Sequence, residues 1–237
     1  MQPTQGRPWQ SGVVISVAVL ELIVSVTLSC AQASSNRNPE VFPIHSRPFG
    51  NTYGEWSARW WQWALSVPGA TNPVLDTTGV HCAEGQAGPV WFLAATFGGS
   101  ATRTCTVPPG KALFFAILNA VFGAAVGDCE PTTCNVNELR AVAAAIVDNP
   151  MTLEASVDGI PLQDLSAYRV QSPIFSITLP EDAIFGLPSG TFEPNVSDGY
   201  WLMLVPLSAG EHTIYFKAVS AGGFTTEVTY NLTISRR

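Results

Sequence analysis

Apolar and polar positions alternate most regularly near the C-terminal end of the chain. Ile214, Phe216 and Ala218 alternate with Thr213, Tyr215 and Lys217, and Val228, Tyr230, Leu232 and Ile234 alternate with Thr229, Asn231 and Thr233. A period of two places one strand face in a core and the other in water. Strands are therefore expected over 211–219 and 224–234, turned antiparallel by Ser220-Ala221-Gly222-Gly223. From Gly88 onward, short apolar runs divided by glycine, proline and polar clusters predict further strands over 90–97, 102–107, 112–118, 151–157, 168–179 and 200–205. The run 90–97 is apolar on both faces and reads as a central strand, and Pro108-Pro109-Gly110-Lys111 joins 102–107 to 112–118.

Two segments carry the helical period instead. Thr52 and Glu55 have the Thr-x-x-Glu spacing of a capping box, which starts a helix over 53–65 that Pro68 and Gly69 stop. Trp56, Trp60 and Trp63 fall at i, i+4 and i+7 and form a stripe that packs this helix onto a sheet, while Trp61 points elsewhere. Val136, Leu139, Val142, Ala143, Ile146 and Val147 line one face of a second helix over 136–148, with Asn135 able to cap it and Pro150 blocking its continuation. Together these patterns predict a mainly β fold: an antiparallel β-sandwich, immunoglobulin-like or jelly-roll, with two peripheral α-helices.

The first 33 residues stand apart from that pattern. An apolar run over 13–29 follows Arg7 and precedes Ala31-Gln32-Ala33, the small-x-small motif of a signal-peptide cleavage site. Residues 1–33 read as a signal peptide cut near Ala33, 34–50 as an extended arm with Pro43 and Pro48, and 51–237 as one domain. A permanent membrane span is not expected, because the run is short for a bilayer and Glu21 sits in its middle. Lipid modification of Cys30 is disfavoured by Thr27, which stands where an aliphatic residue is needed. The product is expected to be secreted, periplasmic or on the cell surface. Its net charge of −7 survives cleavage, since Arg7 and Glu21 leave together, and the few scattered basic residues exclude a nucleic-acid partner.

Export sets the meaning of the cysteines. Cys30 leaves with the leader, and the four that remain read as two disulfides in an oxidising compartment. Of the three connectivities, Cys82 to Cys105 would tie the ends of a hairpin, and Cys129 to Cys134 would close a short acidic loop. A zinc site is the alternative, but one Cys-x4-Cys without a second pair or nearby histidines supports it poorly.

The stretch from Pro206-Leu207-Ser208-Ala209-Gly210-Glu211-His212 to Tyr230-Asn231-Leu232-Thr233-Ile234 resembles the final strands of bacterial immunoglobulin-like domains, a resemblance that implies fold class only. The segments Glu55-Trp56-Ser57-Ala58-Arg59-Trp60-Trp61-Gln62-Trp63 and Arg103-Thr104-Cys105-Thr106-Val107-Pro108 are similar to those of a group of secreted bacterial proteins without established activity, and they imply no residue roles.

Candidate chemistry is sparse. Glu55 and Arg59 share a helix face, as a surface or capping pair or, in a cleft, as an acid or base with an anion clamp. The loop 76–86 gathers Asp76, His81, Glu84 and Gln86, where Asp76 could orient His81 for proton transfer, or the run could be plain turn chemistry. Trp61, with Trp91 and Trp201, would make a stacking platform for sugar rings if exposed, and Gln86 could add a polar contact. His45, His81 and His212 share no ligand spacing, so neither a metal nor a cofactor is expected. Nucleophile elbows, Ser-x-x-Lys pairs and phosphate-cradling loops are missing from the sequence. These residues suggest a non-catalytic binding or structural protein that recognises a glycan or another surface polymer. The alternative is a hydrolase or lyase of such a polymer, using Glu55, Asp76 and His81 in one pocket.

Overall fold

The structure is a computed structural model that describes Met1, Asn38 and residues 40–236. Apart from Met1, the expected signal peptide, its cleavage point, Cys30 and the start of the arm lie outside the described residues. The described residues from Asn38 to Arg236 form one compact unit. Among the described residues no helix is long and apolar enough to cross a membrane.

The fold is mainly β, with two α-helices and two mixed sheets. In chain order the elements are α1 (Tyr53–Ser66), β1 (Val90–Phe92), β2 (Gly99–Val107), β3 (Ala112–Gly123), α2 (Val136–Val147), β4 (Thr152–Val157), β5 (Ile160–Pro161), β6 (Arg169–Gln171), β7 (Phe175–Leu179), β8 (Gly190–Leu204), β9 (Gly210–Val219) and β10 (Thr225–Ile234). One sheet runs β1-β3-β8-β6, with β7 also paired to β8, and the other runs β2-β10-β9-β4-β5. The C-terminal pair forms the expected antiparallel hairpin, from Thr225 opposite Val219 to Ile234 opposite Gly210.

The wholly antiparallel expectation is corrected at two places: β1 runs parallel to β3, and β2 runs parallel to β10 over its full length. The reason lies in how many faces each strand buries. β2 buries Ala101, Arg103, Cys105 and Val107 and exposes the residues between them, whereas Ala112 to Leu118 of β3 are at most 2 % exposed. A strand apolar on both faces needs layers on both sides. The Pro108-Pro109-Gly110-Lys111 turn therefore carries the chain from one sheet to the other.

Adjacent residues of β3 show what those layers are. Phe115 stacks on Phe216 of the other sheet with centroids 4.9 Å apart, while Phe114 stacks on Trp201 and meets Tyr53 and Trp56 of α1. Helix α1 is thus a core layer and not peripheral, which corrects the expectation for it. Only Arg59 and Ser66 of its 14 residues are exposed. Both limbs of the capping box form at Thr52 and Glu55. Gly54 sits where a Cβ would stand 2.5 Å from the Gln171 carbonyl oxygen, so only glycine lets the first turn approach β6 this closely.

The second helix is the more exposed one. Asn135 caps α2 as expected, but the buried stripe is Leu139, Ala143 and Val147, leaving Val142 and Ile146 almost half exposed. Its C-terminal Asp148 accepts from Arg169 of β6 at 2.6 Å, and the same guanidinium grips the buried Asp198 of β8 through two bonds of 3.0 Å. Pro173 separates the expected 168–179 strand into β6 and β7. The arm does not trail free: Val41 bridges Leu204, and Phe42 donates to the Met203 carbonyl at 2.9 Å.

Both disulfides have the expected connectivity. Cys82–Cys105 does not staple a hairpin, since β1 and β2 belong to different sheets; it ties the loop before β1 to the strand β2. The Cys82→Ser/Cys105→Ser variant is expected to lose about 2–4 kcal/mol, read from urea unfolding, and the oxidised mature chain should yield no thiol to a labelling reagent.

His212 Nδ1 lies 2.7 Å from Asp158 Oδ2, at the rim where β9 begins. Burial lowers the imidazole value, but Asp158, the Ser208 carbonyl and the nearby Glu40 outweigh it and raise the net value above 6.5. Burial raises the Asp158 value, but the Thr213 amide and His212 bring it below 3.8. His212 therefore adds stability that is present below its ordinary value and lost as pH climbs through the raised one. Asp158 adds stability that is lost as pH falls through its lowered one. Unfolding free energy is expected to decline as pH rises past 6.5, and His212→Gln should flatten that decline in urea titrations.

Candidate functional site

The four acid–base candidates do not meet. Glu55 is consumed by the helix start: its Oε2 accepts from the Thr52 amide at 2.6 Å and the Thr52 hydroxyl at 2.9 Å. Those bonds, before the nearby Arg47 and Arg59, hold its carboxyl below the usual range. Arg59 lies over the Trp56 ring at 5.2 Å and donates to Asn51. Asp76 and His81 lie beyond the other end of α1, where Asn72 caps the Ala64 and Val67 carbonyls at 2.8 Å each. A helix of 14 residues spans about 21 Å, so Glu55 in its first turn stands at the opposite end from Asp76 and His81, with Arg59 midway along it.

The loop itself is turn chemistry. Asp76 accepts from the Thr78 amide and hydroxyl at 2.7 Å each and from the His81 backbone amide at 2.9 Å. Burial raises the Asp76 value, but these bonds and the Gly79 amide pull it down to about 2. Its carboxylate holds the loop and not the His81 ring. Gly79 (φ +93°) packs so tightly on β2 that a Cβ would stand 2.3 Å from the Thr104 carbonyl oxygen. Gln86 is likewise structural: it accepts from the Phe92 amide at 2.9 Å and donates to the Phe92 carbonyl at 2.8 Å, imitating a strand beside β1. Among the described residues no group of three His, Cys, Asp or Glu side chains converges.

The tryptophan platform is corrected as well. Trp61, Trp91 and Trp201 are 3 %, 6 % and 0 % exposed, so none offers a ring face to water. The stripe indoles each find a carbonyl: Trp56 donates to Pro48 at 3.0 Å, Trp60 to Leu93 at 3.0 Å and Trp63 to Glu84 at 2.8 Å. By contrast the indole N–H of Trp61 is buried without a partner, as are those of Trp91 and Trp201 and the amide nitrogen of Asn119. A buried donor left unpaired is unfavourable by roughly 1–3 kcal/mol.

Two of these four residues line one cavity. Trp61 and Asn119, with Trp60, Val74 and Leu118, enclose about 40 Å³ open to the centre of a water molecule, more than the ~10–15 Å³ that one water needs. Thr96 and Thr226 also line it and bond to each other at 2.9 Å. Phe97 and Phe224 line it too and are nearly half exposed, and Phe185, 59 % exposed, meets Phe97 edge-on at 4.5 Å. Three phenylalanines therefore face water beside a small cavity with no charged side chain in its lining.

One buried cation shapes the wall behind this cavity. Arg103, 1 % exposed, donates through Nε to the Asp76 carbonyl, through Nη1 to the Ala94 carbonyl and the Tyr230 hydroxyl, and through Nη2 to the Val74 and Ala95 carbonyls. The last two carbonyls belong to residues that line the cavity. Arg103 also explains why β1 ends at Phe92: the carbonyls of Ala94 and Ala95 are taken by the guanidinium instead of a neighbouring strand. Its signal in the sequence is an arginine on the inward face of β2, between Ala101 and Cys105. Asn119 has a similar one, as a lone amide in the apolar run of β3.

The chain matches no protein-family model, no curated protein and no solved structure.

Lysine has three donors where arginine has five. The Ala94 carbonyl and the Tyr230 hydroxyl also partner each other, but a lysine head cannot reproduce the planar fork that reaches the Asp76, Val74 and Ala95 carbonyls, so Arg103→Lys is expected to lower stability by about 1–3 kcal/mol in urea unfolding.

Proposed function

We propose that the chain is an exported, non-catalytic binding protein of the cell envelope or its surroundings, which recognises a glycan or another surface polymer. The observation that carries this reading is the cluster of Phe97, Phe185 and Phe224, solvent-facing rings gathered beside the Trp61 cavity. Exposed apolar clusters of this kind mark interaction sites, and ring faces are what a sugar's C–H surface packs against. The separation of Glu55 from Asp76 and His81 weighs against a hydrolase or lyase. Export is supported by two disulfides, which persist in oxidising compartments, and by the leader pattern in the sequence. We read the two sheets as an immunoglobulin-like or jelly-roll sandwich, supported by the Phe115–Phe216 stack between them and the β9–β10 hairpin.

Co-sedimentation of the mature protein with insoluble peptidoglycan, chitin and cellulose tests the reading. Binding to at least one polymer is expected, and the combined Phe97→Ala, Phe185→Ala and Phe224→Ala variant should lose most of it while keeping its circular-dichroism spectrum. Undiminished binding by that variant, or no polymer bound by the wild type, would overturn the proposal.

A further inference from the structure

Phe49 stands in the left-handed region of backbone space, at φ +54° and ψ +30°, and is followed by Gly50 at φ +84°. A bulky side chain is strained there; such residues persist only where their surroundings over-determine them, and they cluster at ligand clamps and active sites. Here three consecutive carbonyls are each taken by a side chain. Pro48 accepts from the Trp56 indole at 3.0 Å, Phe49 from the Asn51 amide at 3.2 Å and Gly50 from the Arg47 guanidinium at 3.0 Å. The turn so pinned keeps the Phe49 ring 45 % exposed, with edge-on contacts to Phe42 and Trp56.

A guanidinium is fixed beside that ring. Arg59 is exposed, lies over the Trp56 ring that Phe49 also meets, and donates to Asn51 Oδ1 at 3.3 Å, while Asn51 Nδ2 holds the Phe49 carbonyl. One indole and one amide thus tie the exposed phenylalanine and the exposed arginine into a single cluster. The charge of Arg47 is matched by Glu55 at 3.3 Å, and the same carboxylate serves Thr52. No carboxylate pairs with Arg59 among the described residues, so the cluster keeps one unmatched positive charge. Of the donors on its guanidinium only one is used, which leaves the rest of the planar fork for a ligand.

We infer that Phe49 and Arg59 bind a hexuronate unit: the sugar's carboxylate accepts two parallel hydrogen bonds from the Arg59 fork, and the C–H face of the same sugar packs on the Phe49 ring. A chain of net charge −7 repels polyanions at long range, so affinity for an acidic sugar comes from local contacts of this kind. The inference rests on the glycan reading above and goes beyond it. It assigns a second site, built from other residues than Phe97, Phe185 and Phe224, and gives its ligand a charge.

Tetragalacturonate and tetramannuronate, their neutral methyl esters, and glutarate as a carboxylate without a sugar separate the contributions of ring and charge. By calorimetry at least one of the two uronates should bind about ten-fold or more tightly than its ester, the difference expected for hydrogen bonds to a charged group. Arg59→Gln should abolish that preference, Arg59→Lys should keep only part of it because an ammonium lacks the fork, and Phe49→Ala should weaken acid and ester alike by about five-fold. The combined Phe97→Ala, Phe185→Ala and Phe224→Ala variant should bind the uronate as the wild type does. Equal binding of acid and ester, or a preference that survives Arg59→Gln, would overturn the inference, and glutarate bound as tightly as the uronate would overturn the sugar assignment. If neither uronate binds while the insoluble polymers are still held through the Phe97, Phe185 and Phe224 rings, this site falls and the glycan reading stands. The wild-type comparison of acid, ester and glutarate decides these outcomes even if a variant folds poorly.

Discussion

Arg103 is the constraint around which this fold is arranged. Burying a guanidinium is tolerable only when its charge and all its donors are met. Here five N–H groups meet five acceptors drawn from the loop before β1, the segment after β1 and strand β10. Tyr230 contributes both its hydroxyl and its ring, which lies 5.4 Å from the guanidinium carbon. Burial raises the Tyr230 phenol's value, against the pull of Arg103, so the residue stays neutral beside the cation. Because four of the acceptors are main-chain carbonyls, the arginine fixes the backbone path itself. The Cys82–Cys105 bridge, two residues along β2, fastens the same loop covalently.

That fixed backbone has two consequences. It holds the Leu93–Ala95 segment out of the sheet, where the Leu93 carbonyl is free to receive the Trp60 indole. It also places Val74 and Ala95 as a wall opposite Asn119 of β3. The cavity is therefore a gap between a helix, a sheet and a non-ladder segment, each held by its own bonds. Trp61 and Asn119 line it, and their buried donors stay unpartnered because the surroundings are over-determined. Closing the cavity would require breaking the Arg103 set or moving α1, which is packed against β3 and β8 through Trp56, Trp60, Phe114 and Trp201.

The residues with the most chemically suggestive types have structural employment. Glu55 caps α1, Asp76 ties a turn, Gln86 stands in for a strand, and Trp61, Trp91 and Trp201 are buried. The residues that face water together are phenylalanines whose positions, 97, 185 and 224, are remote in sequence and share no motif. Acid–base roles need convergence, which a helix about 21 Å long prevents here. Contact with a ligand needs exposure, which no residue type guarantees.

Local physics settled much of the chain from its sequence. The capping box at Thr52 and Glu55, the Asn135 cap and the alternation in β9 and β10 were all legible, because each depends on residues close in sequence, whereas the Cys82–Cys105 pairing rested on a hairpin that the fold does not contain. Tertiary structure alone decided which sheet each strand joined, that α1 became a core layer, and that Val142 and Ile146 of α2 stayed outside. It also decided which indole lost its partner and which rings gathered in water. These outcomes depend on burial of both faces of β3 and on acceptors far along the chain from Arg103. No pattern of neighbouring residues encodes either, since the free energy of a buried group is set by whatever surrounds it after folding.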